Sequence, residues 1–264
     1  MPRRSSSSAL FFLIVSFAML WIPLGQHAFL VEHWMKVGTF MAPFLLFVAA
    51  KRWDSGADLS SLSLWMLVAY IVHQFEEHWI DLFGNVYAFH ATVNGLLLSV
   101  FGDRSVTTEP LTPAGIFVIN TSLVWLVGAL AFLRSPRHAF PALAMAAIIV
   151  VNAASHIVVS VAKLAYNPGV LTSLVVFLPL GLYVYVRVLR EQRADVRQVV
   201  ASVIWGVLAH VIMVGGLVAG QIFGLFSETV YFAALILWSI VPVFLFTAPT
   251  AQSNQLPKTS QQAG

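Results

Sequence analysis

Four side chains in one apolar stretch could bind a metal ion or transfer protons. The segment VAYIVHQFEEHWIDLFG, residues 68 to 84, places His73, Glu76, Glu77 and His78 within six positions. On an α-helix the first three share one face, because residues three and four positions apart are neighbours. His78 is turned about 100° beyond Glu77 and away from that face. Imidazole and carboxylate groups are the ligands of zinc, iron and manganese sites that lack thiolates.

A second pair of polar residues occurs in a later apolar run. Asn152 and His156 are four positions apart and therefore also share a helix face. At about 1.5 Å per residue, His73 and His156 both lie from the middle of the membrane toward its outer half, so the two could meet. The sequence Tyr166-Asn-Pro-Gly169 follows and predicts a turn, because Pro and Gly end helices. Asp81 is expected to extend the first stripe toward the outer interface.

These spacings predict a site for one divalent metal ion. We expect His73, His156 and one glutamate, taken as Glu77, to be the ligands, and the other glutamate, Glu76, to act as general base. Spacing leaves open which glutamate binds the ion, because both share a face with His73. Zinc is one candidate, and iron and manganese are others. A site with two metal ions is the alternative, although such sites use more carboxylates than this region offers.

Two further residues complete the predicted site. Asn152 and Tyr166 are candidates to orient or polarise a substrate oxygen. A purely structural role is the alternative for every residue of the group, because His, Glu and Asn side chains can join helices by hydrogen bonds alone. Ionisable groups inside a span cost roughly 2.5–3.5 kcal/mol each, however, so a functional site is the default reading.

The elements that must position these residues are transmembrane helices. The chain is 59% hydrophobic and only 9% charged, with a mean hydropathy of +0.86, whereas a soluble domain is roughly 25% charged. The apolar runs are continuous and long enough to cross about 30 Å of hydrocarbon. An all-α, polytopic helical bundle of about eight transmembrane helices is therefore predicted. The spans are expected near residues 9–26, 34–50, 62–82, 113–133, 139–164, 170–186, 198–221 and 229–247.

One further apolar segment is too short and too broken for a ninth span. Residues 86–102 contain Asn94 and Gly95, so a re-entrant or interfacial element is expected there, which could act as a lid. Residues 1–250 form a single membrane domain in this reading. Residues 251–264 are rich in Gln, Ser and Thr and are expected to be a disordered cytoplasmic tail.

Positive charge predicts the orientation. With both termini in the cytoplasm, eleven Lys and Arg residues lie inside and three outside, which follows the positive-inside rule. The first span then fits an uncleaved anchor better than a signal peptide, because no clear cleavage site follows it. The bacterial inner membrane is the expected location. The three outside residues are Lys36, Arg104 and Lys163, and the inside ones are Arg3, Arg4, Lys51, Arg52, Arg134, Arg137, Arg187, Arg190, Arg193, Arg197 and Lys258.

Three short motifs together resemble a known family. His73-Gln-Phe-Glu76-Glu77, Asn152-Ala-Ala-Ser-His156 and Tyr166-Asn-Pro-Gly169 occur in this order within apolar spans. This arrangement resembles the HXXEE family of bacterial membrane proteins, which has an HXXEE, an NAxxH and a YxPG element. The resemblance covers about residues 62–190. The activity of that family is unassigned, so the resemblance implies a membrane protein and no particular reaction.

The sequence leaves three classes of function open. The first is an intramembrane metal-dependent enzyme, hydrolase-like, that acts on a lipid or amphiphilic substrate from the periplasmic side. The second is a proton- or cation-coupled carrier, against which the absence of matching broken spans argues. The third is an accessory membrane protein with a polar clasp between helices. The chain has no cysteine, which excludes thiolate sites and cysteine nucleophiles, and no nucleotide, flavin or nucleic-acid-binding motif is recognisable.

Overall fold

The described part of the chain is a bundle of helices. The computed structural model of the protein describes residues 27–54 and 58–247. Regular structure there is helical, apart from one isolated β-bridge between Ile80 and Val86, which confirms the all-α prediction. The helices are α1 (His27–Asp54), α2 (Leu59–His78), α3 (Ala88–Phe101), α4 (Pro113–Arg134), α5 (Phe140–Lys163), α6 (Val170–Arg190), α7 (Val196–Ile222) and α8 (Glu228–Ile240).

Helix α2 lies at the centre of the bundle. Of its 20 residues, 17 are buried, and it packs against α1, α4, α5 and α6. The helix begins at a capping residue, Asp58, whose carboxylate accepts a hydrogen bond from the Ser61 amide and pairs with Arg52. A helix that is apolar on all sides must be surrounded by other helices. The polar residues at the C-terminal end of α2 therefore lie in the interior of the bundle.

Five helices are long and apolar enough to cross a membrane. They are Val31–Arg52, Pro113–Arg134, Phe140–Lys163, Val170–Arg190 and Val196–Ile222. Apolar side chains such as Ile204 and Val211 of α7 are more than half exposed, as expected for a surface that faces lipid. The chain is therefore a multi-pass membrane protein.

The other three predicted spans are not among these five helices. Helix α2 is not among the five, because its polar end lowers its hydropathy, and it ends at His78 instead of reaching residue 82. Helix α8 continues as a short apolar helix to Val243. The predicted first span, 9–26, and the tail, 251–264, lie outside the described residues. The number of spans and the side of the termini stay predictions.

Residues 86–102 contain helix α3, which has 14 residues. At about 1.5 Å per residue this helix is about 21 Å long, too short to cross the hydrocarbon. Whether it is re-entrant or interfacial stays a prediction.

Local departures from α-helical geometry occur in two helices near the polar end of α2. Helix α4 is π-helical from Asn120 to Leu126, and α6 is π-helical from Ser173 to Phe177. Such segments often occur at functional sites, because they change the direction in which side chains point.

Candidate metal site

The three predicted metal ligands lie together. His73 and Glu77 of α2 and His156 of α5 present ligand atoms that are all within 4.8 Å of one another, and all three residues are buried. The Glu77 carboxylate is 3.6 Å from His73 Nε2 and 3.3 Å from His156 Nε2. Ligand atoms around a tetrahedral zinc ion, with bonds of about 2.0–2.2 Å, are about 3.3–3.6 Å apart. The distances to Glu77 are therefore close to those of a bound site.

A hydroxyl group fixes the proton on the His73 ring. Thr172 Oγ1 lies 2.6 Å from Glu76 Oε2 and 2.8 Å from His73 Nδ1. The hydroxyl has one proton, which it donates to the carboxylate, since that bond is charge-assisted. His73 Nδ1 must then donate its proton to the hydroxyl oxygen, and Nε2 is left with a lone pair. This Nε2 has no hydrogen-bond partner among the described residues.

Glu76 has a complete set of partners on the loop before α6 and on the first turn of that helix. Its oxygens accept hydrogen bonds from the Tyr166 hydroxyl, the Leu171 amide, and both the amide and the hydroxyl of Thr172, at 2.6–3.1 Å. Helix α6 begins at Val170, so the carboxylate binds at a helix N-terminus, which favours negative charge. Glu76 thus attaches the loop to α2, outside the cluster of three ligand atoms.

Gly169 allows this loop to approach the histidines. Its φ angle is +93°, and a Cβ atom placed on it would be 2.7 Å from His156 Cε1 and 2.8 Å from His73 Cε1. Only glycine combines this backbone conformation with such a close contact. The close approach of this loop to His73 and His156 therefore explains why the third motif ends in glycine.

His156 and Asn152 also have defined partners. The Asn167 side-chain amide donates to His156 Nδ1 at 2.8 Å, so His156 Nε2 carries the proton that points at Glu77. If the Asn167 amide were rotated by 180°, its oxygen would accept a hydrogen bond from His156 Nδ1, and His156 Nε2 would carry no proton. Asn167 can therefore hold the ring in either tautomer. Asn152 donates from Nδ2 to the Tyr70 hydroxyl at 2.9 Å, and its Oδ1 is buried without a partner in the described part of the chain.

Tyr166 and Asp81 lie outside the cluster. The Tyr166 hydroxyl accepts from the Leu82 amide and donates to Glu76, and burial raises the pKa of Tyr166 to about 12. The prediction that Asp81 extends the helical stripe is wrong, because α2 ends at His78. Asp81 lies in the following turn and accepts hydrogen bonds from Phe83 and Asn85, and the Asn85 side chain in particular lowers the pKa of Asp81.

A cavity of about 270 Å³ adjoins the cluster. Its polar lining includes Glu77, Asn152 and His156, and the larger part of the lining is apolar, from α3, α4, α5 and α7. This volume is slightly below the range for small-molecule sites, roughly 300–1,000 Å³. A mostly apolar cavity with a few polar groups at one place is suited to an amphiphilic ligand.

Sequence reasoning missed several residues of this region. Thr172 and Asn167 each bind a ring nitrogen of a histidine, yet neither has a periodic relation to it in sequence. The helical angle predicts that His78 points away from the shared face, although its Nε2 is 3.0 Å from Glu77 Oε2. The only available signal for His78 was its position next to the motif.

The fold and the site together define a multi-pass α-helical membrane protein with a buried His/Glu cluster. Residues 64–184 match the family described as "Protein of unknown function with HXXEE motif". The resemblance to the HXXEE family is thereby confirmed over this segment, which contains all three motifs. No curated protein and no solved structure matches the chain.

Proposed function

We propose that the protein is a metal-dependent enzyme of the inner membrane that hydrolyses an amphiphilic substrate reached from the periplasmic side. His73, Glu77 and His156 would hold one divalent metal ion, with zinc the first candidate. A bound ion of this kind polarises a substrate oxygen and lowers the pKa of bound water. Hydrolysis would add water across an ester or phosphoester bond and release an acid and an alcohol.

The lone pair on His73 Nε2 carries this proposal. A fully buried ring nitrogen without a partner is unusual, because buried polar groups are nearly always hydrogen-bonded. Here the other ring nitrogen is held by Thr172, and Thr172 is held by Glu76. Carboxylate groups and hydroxyls commonly orient metal-binding histidines in this way. A purely structural clasp would instead have paired Nε2 with a donor.

The cavity supports an amphiphilic substrate. Leu96 of α3 and Val214 of α7 line the cavity and are 43% and 50% exposed, which supports an opening toward lipid between these helices. Lys163, at the end of α5, also lines it. Lys163 is seven residues beyond His156, about 10 Å along the helix. An anionic headgroup at Lys163 would therefore leave a neighbouring bond near Glu77 and His156.

The residues predicted as catalytic have different surroundings. Asn152 Oδ1 borders the cavity as a free acceptor, and we assign it the binding of a substrate hydroxyl or amide. Glu76 accepts hydrogen bonds from Tyr166 on the loop before α6 and from the Leu171 amide in the first turn of α6, which favours a positioning role over the general-base role expected for Glu76.

The first test is metal content. The detergent-purified protein and a His73→Ala, Glu77→Gln, His156→Ala triple variant, matched by circular dichroism, would be analysed by elemental mass spectrometry. About one zinc, iron or manganese ion per chain in the parent and none in the variant supports the proposal. No metal in the parent after resupply during growth and purification would overturn it.

The second test addresses the reaction. The metal-loaded and the chelator-treated protein would be incubated with vesicles of phosphatidylglycerol or of phosphatidylethanolamine, and the released acids and alcohols measured by mass spectrometry. Products that depend on the metal support hydrolysis. Metal binding without any product from either vesicle would limit the protein to a non-hydrolytic metal site.

A further inference from the structure

Among the described residues, His210 is the polar side chain that helix α7 contributes to the cavity. It lines the cavity together with Met213, Val214 and Leu217. These four residues are three, four and seven positions apart and therefore share one helix face. Polar ionisable side chains are rare in transmembrane helices and usually face a functional interior site. His210 belongs to none of the three motifs, and the metal site does not use it.

A backbone carbonyl fixes the proton on the His210 ring. His210 Nδ1 lies 2.8 Å from the Gly206 carbonyl oxygen. A carbonyl oxygen can only accept, so Nδ1 carries the proton and Nε2 of the neutral ring has a lone pair. This Nε2 has no hydrogen-bond partner in the part of the chain that the structure describes. His210 thus offers an unused acceptor at the cavity wall.

Helices α5 and α7 run in the same direction and pack closely. The Tyr185 hydroxyl lies between them, 3.5 Å from the Leu143 carbonyl and 3.4 Å from the Ser202 hydroxyl. One turn further along both helices, a Cβ atom placed on Gly206 would be 2.9 Å from Ala147 Cβ. The two helices therefore advance together, one residue of α7 for each residue of α5.

This register places His210 at the depth of Asn152. One more turn along both helices brings His210 level with Val151, the residue that precedes Asn152. Asn152 also lines the cavity, and its Oδ1 is buried without a partner among the described residues. Two acceptors from different helices, an amide oxygen and an imidazole nitrogen, therefore lie at one depth of the cavity.

Two acceptors at one depth favour a ligand group that donates hydrogen bonds. An anionic group would meet lone pairs, and a cationic group would have to leave water for a mostly apolar cavity. A neutral hydroxyl or amide N–H group has neither cost. Buried acceptors that stay unpaired are costly, so a ligand with such a donor is favoured over one that lacks it.

The position of the two acceptors along α5 locates the donor within the ligand. Lys163 is at the end of α5, and His156 lies between Lys163 and Asn152. At about 1.5 Å per residue, Asn152 is about 6 Å from His156 and about 16 Å from Lys163 along the helix. With an anionic headgroup at Lys163 and the reacting bond near His156, the donor lies beyond that bond, on the apolar chain.

We infer that Asn152 and His210 form a subsite that recognises a neutral hydrogen-bond donor, a hydroxyl or an amide N–H, on the apolar chain of the substrate. The inference rests on the proposed function. It narrows the substrate class to amphiphiles whose chain carries such a group close to the reacting bond. Binding at this subsite does not involve the metal ion, so it can be measured in metal-free protein.

The test compares two probes that differ in a single N–H group. N-decylacetamide donates one hydrogen bond, and N-decyl-N-methylacetamide donates none. Their affinities for the chelator-treated, full-length protein in detergent would be measured by native mass spectrometry. We expect the parent to prefer the N–H probe by about fivefold to tenfold, the contribution of one hydrogen bond.

Two variants of His210 separate the acceptor from the shape of the side chain. His210→Phe retains a ring but removes the nitrogen, and it should lower the preference at least threefold. His210→Gln retains an acceptor and should keep a larger part of the preference. Ser202→Ala is the matched control, because Ser202 of the same helix bonds the Val199 carbonyl and does not line the cavity. Its preference should equal that of the parent, with all variants matched by circular dichroism.

Failure of the inference and failure of the proposed function give different results. Equal affinity of the parent for both probes, or a parent-like preference in His210→Phe, would overturn the inference and leave the metal site intact. A parent that binds neither probe would overturn the inference together with the amphiphilic substrate. A parent that contains no metal but prefers the N–H probe would overturn the proposed hydrolysis while supporting the subsite.

Discussion

Glu76 and Glu77 are adjacent and similarly buried, yet their surroundings are opposite. Glu76 accepts four hydrogen bonds from hydroxyl and amide donors of residues 166–172. Glu77 faces the imidazole groups of His73, His78 and His156 at 3.0–3.6 Å, and His73 Nε2 has no hydrogen-bond partner among the described residues. The charge of Glu76 is thus balanced by hydrogen-bond donors of the protein, whereas that of Glu77 would be balanced by the proposed metal ion. Two carboxylates of one motif can therefore have different functions, and their partners distinguish them where their spacing does not.

Glu77→Gln should have the largest effect on metal binding. The change removes the carboxylate on which the histidines converge, and a neutral amide is a much poorer ligand. We expect zinc affinity to fall by more than about 100-fold, a larger loss than that caused by removing an orienting group. Isothermal titration of the metal-free protein in detergent measures this.

The same change one residue earlier is the control for this comparison. Glu76→Gln should bind zinc with a stoichiometry of one but unfold more easily, because charge-assisted hydrogen bonds contribute roughly 1.5–3 kcal/mol. A thermal shift assay in detergent detects this loss. If Glu76→Gln abolished metal binding and Glu77→Gln did not, the assignment of the two glutamates would be reversed.

Gly169→Ala should disturb both regions at once. The φ angle of +93° strains any other residue by roughly 1–3 kcal/mol, and the new Cβ would approach both histidine rings to less than 3 Å. Reduced thermal stability and weaker zinc binding are both expected. Gly215→Ala is the control, because a Cβ there has no atom within 4 Å outside its own helix. Equal behaviour of the two variants would contradict the role given to Gly169.

The fold was largely predictable because its determinants are local. Continuous apolar runs and the charges between them predicted the helices from 113 to 222 to within a few residues. The exception is the end of α2, predicted at 82 and found at His78. Asp81 accepts from the amides of Phe83 and Asn85, and such local side-chain bonds compete with the helix.

The ligand group was predictable for a related reason. Four positions separate His73 from Glu77 and Asn152 from His156, so each pair shares a helix face. Ionisable groups in transmembrane spans are also rare enough to be noticed. Thr172 and Asn167 could not be found this way. Their contacts join different parts of the chain and depend on how the bundle packs. The spacing of residues within one helix does not predict such contacts.

Thr172→Val tests whether orientation of His73 matters. The substitution keeps the shape of the side chain but removes the hydroxyl between Glu76 and His73 Nδ1. We expect zinc affinity to fall by roughly 10–100-fold, with the stoichiometry unchanged. Thr121→Val is the control, because among the residues that the structure describes the Thr121 hydroxyl bonds only the Phe117 carbonyl of its own helix. Unchanged affinity in Thr172→Val would remove Glu76 and Thr172 from the metal site.

Lys163→Gln should have the smallest effect and should leave metal binding unchanged. Lys163 lines the cavity, whereas the comparison residue Lys36 of α1 does not. A lysine near a membrane surface contributes about 1 kcal/mol to binding an anionic group, which is about fivefold in affinity. Dodecyl phosphate should therefore bind about fivefold more weakly to Lys163→Gln than to Lys36→Gln, as measured by native mass spectrometry. Equal weakening in both variants would mean that the cavity does not select charge, and the substrate would then be sought among uncharged amphiphiles.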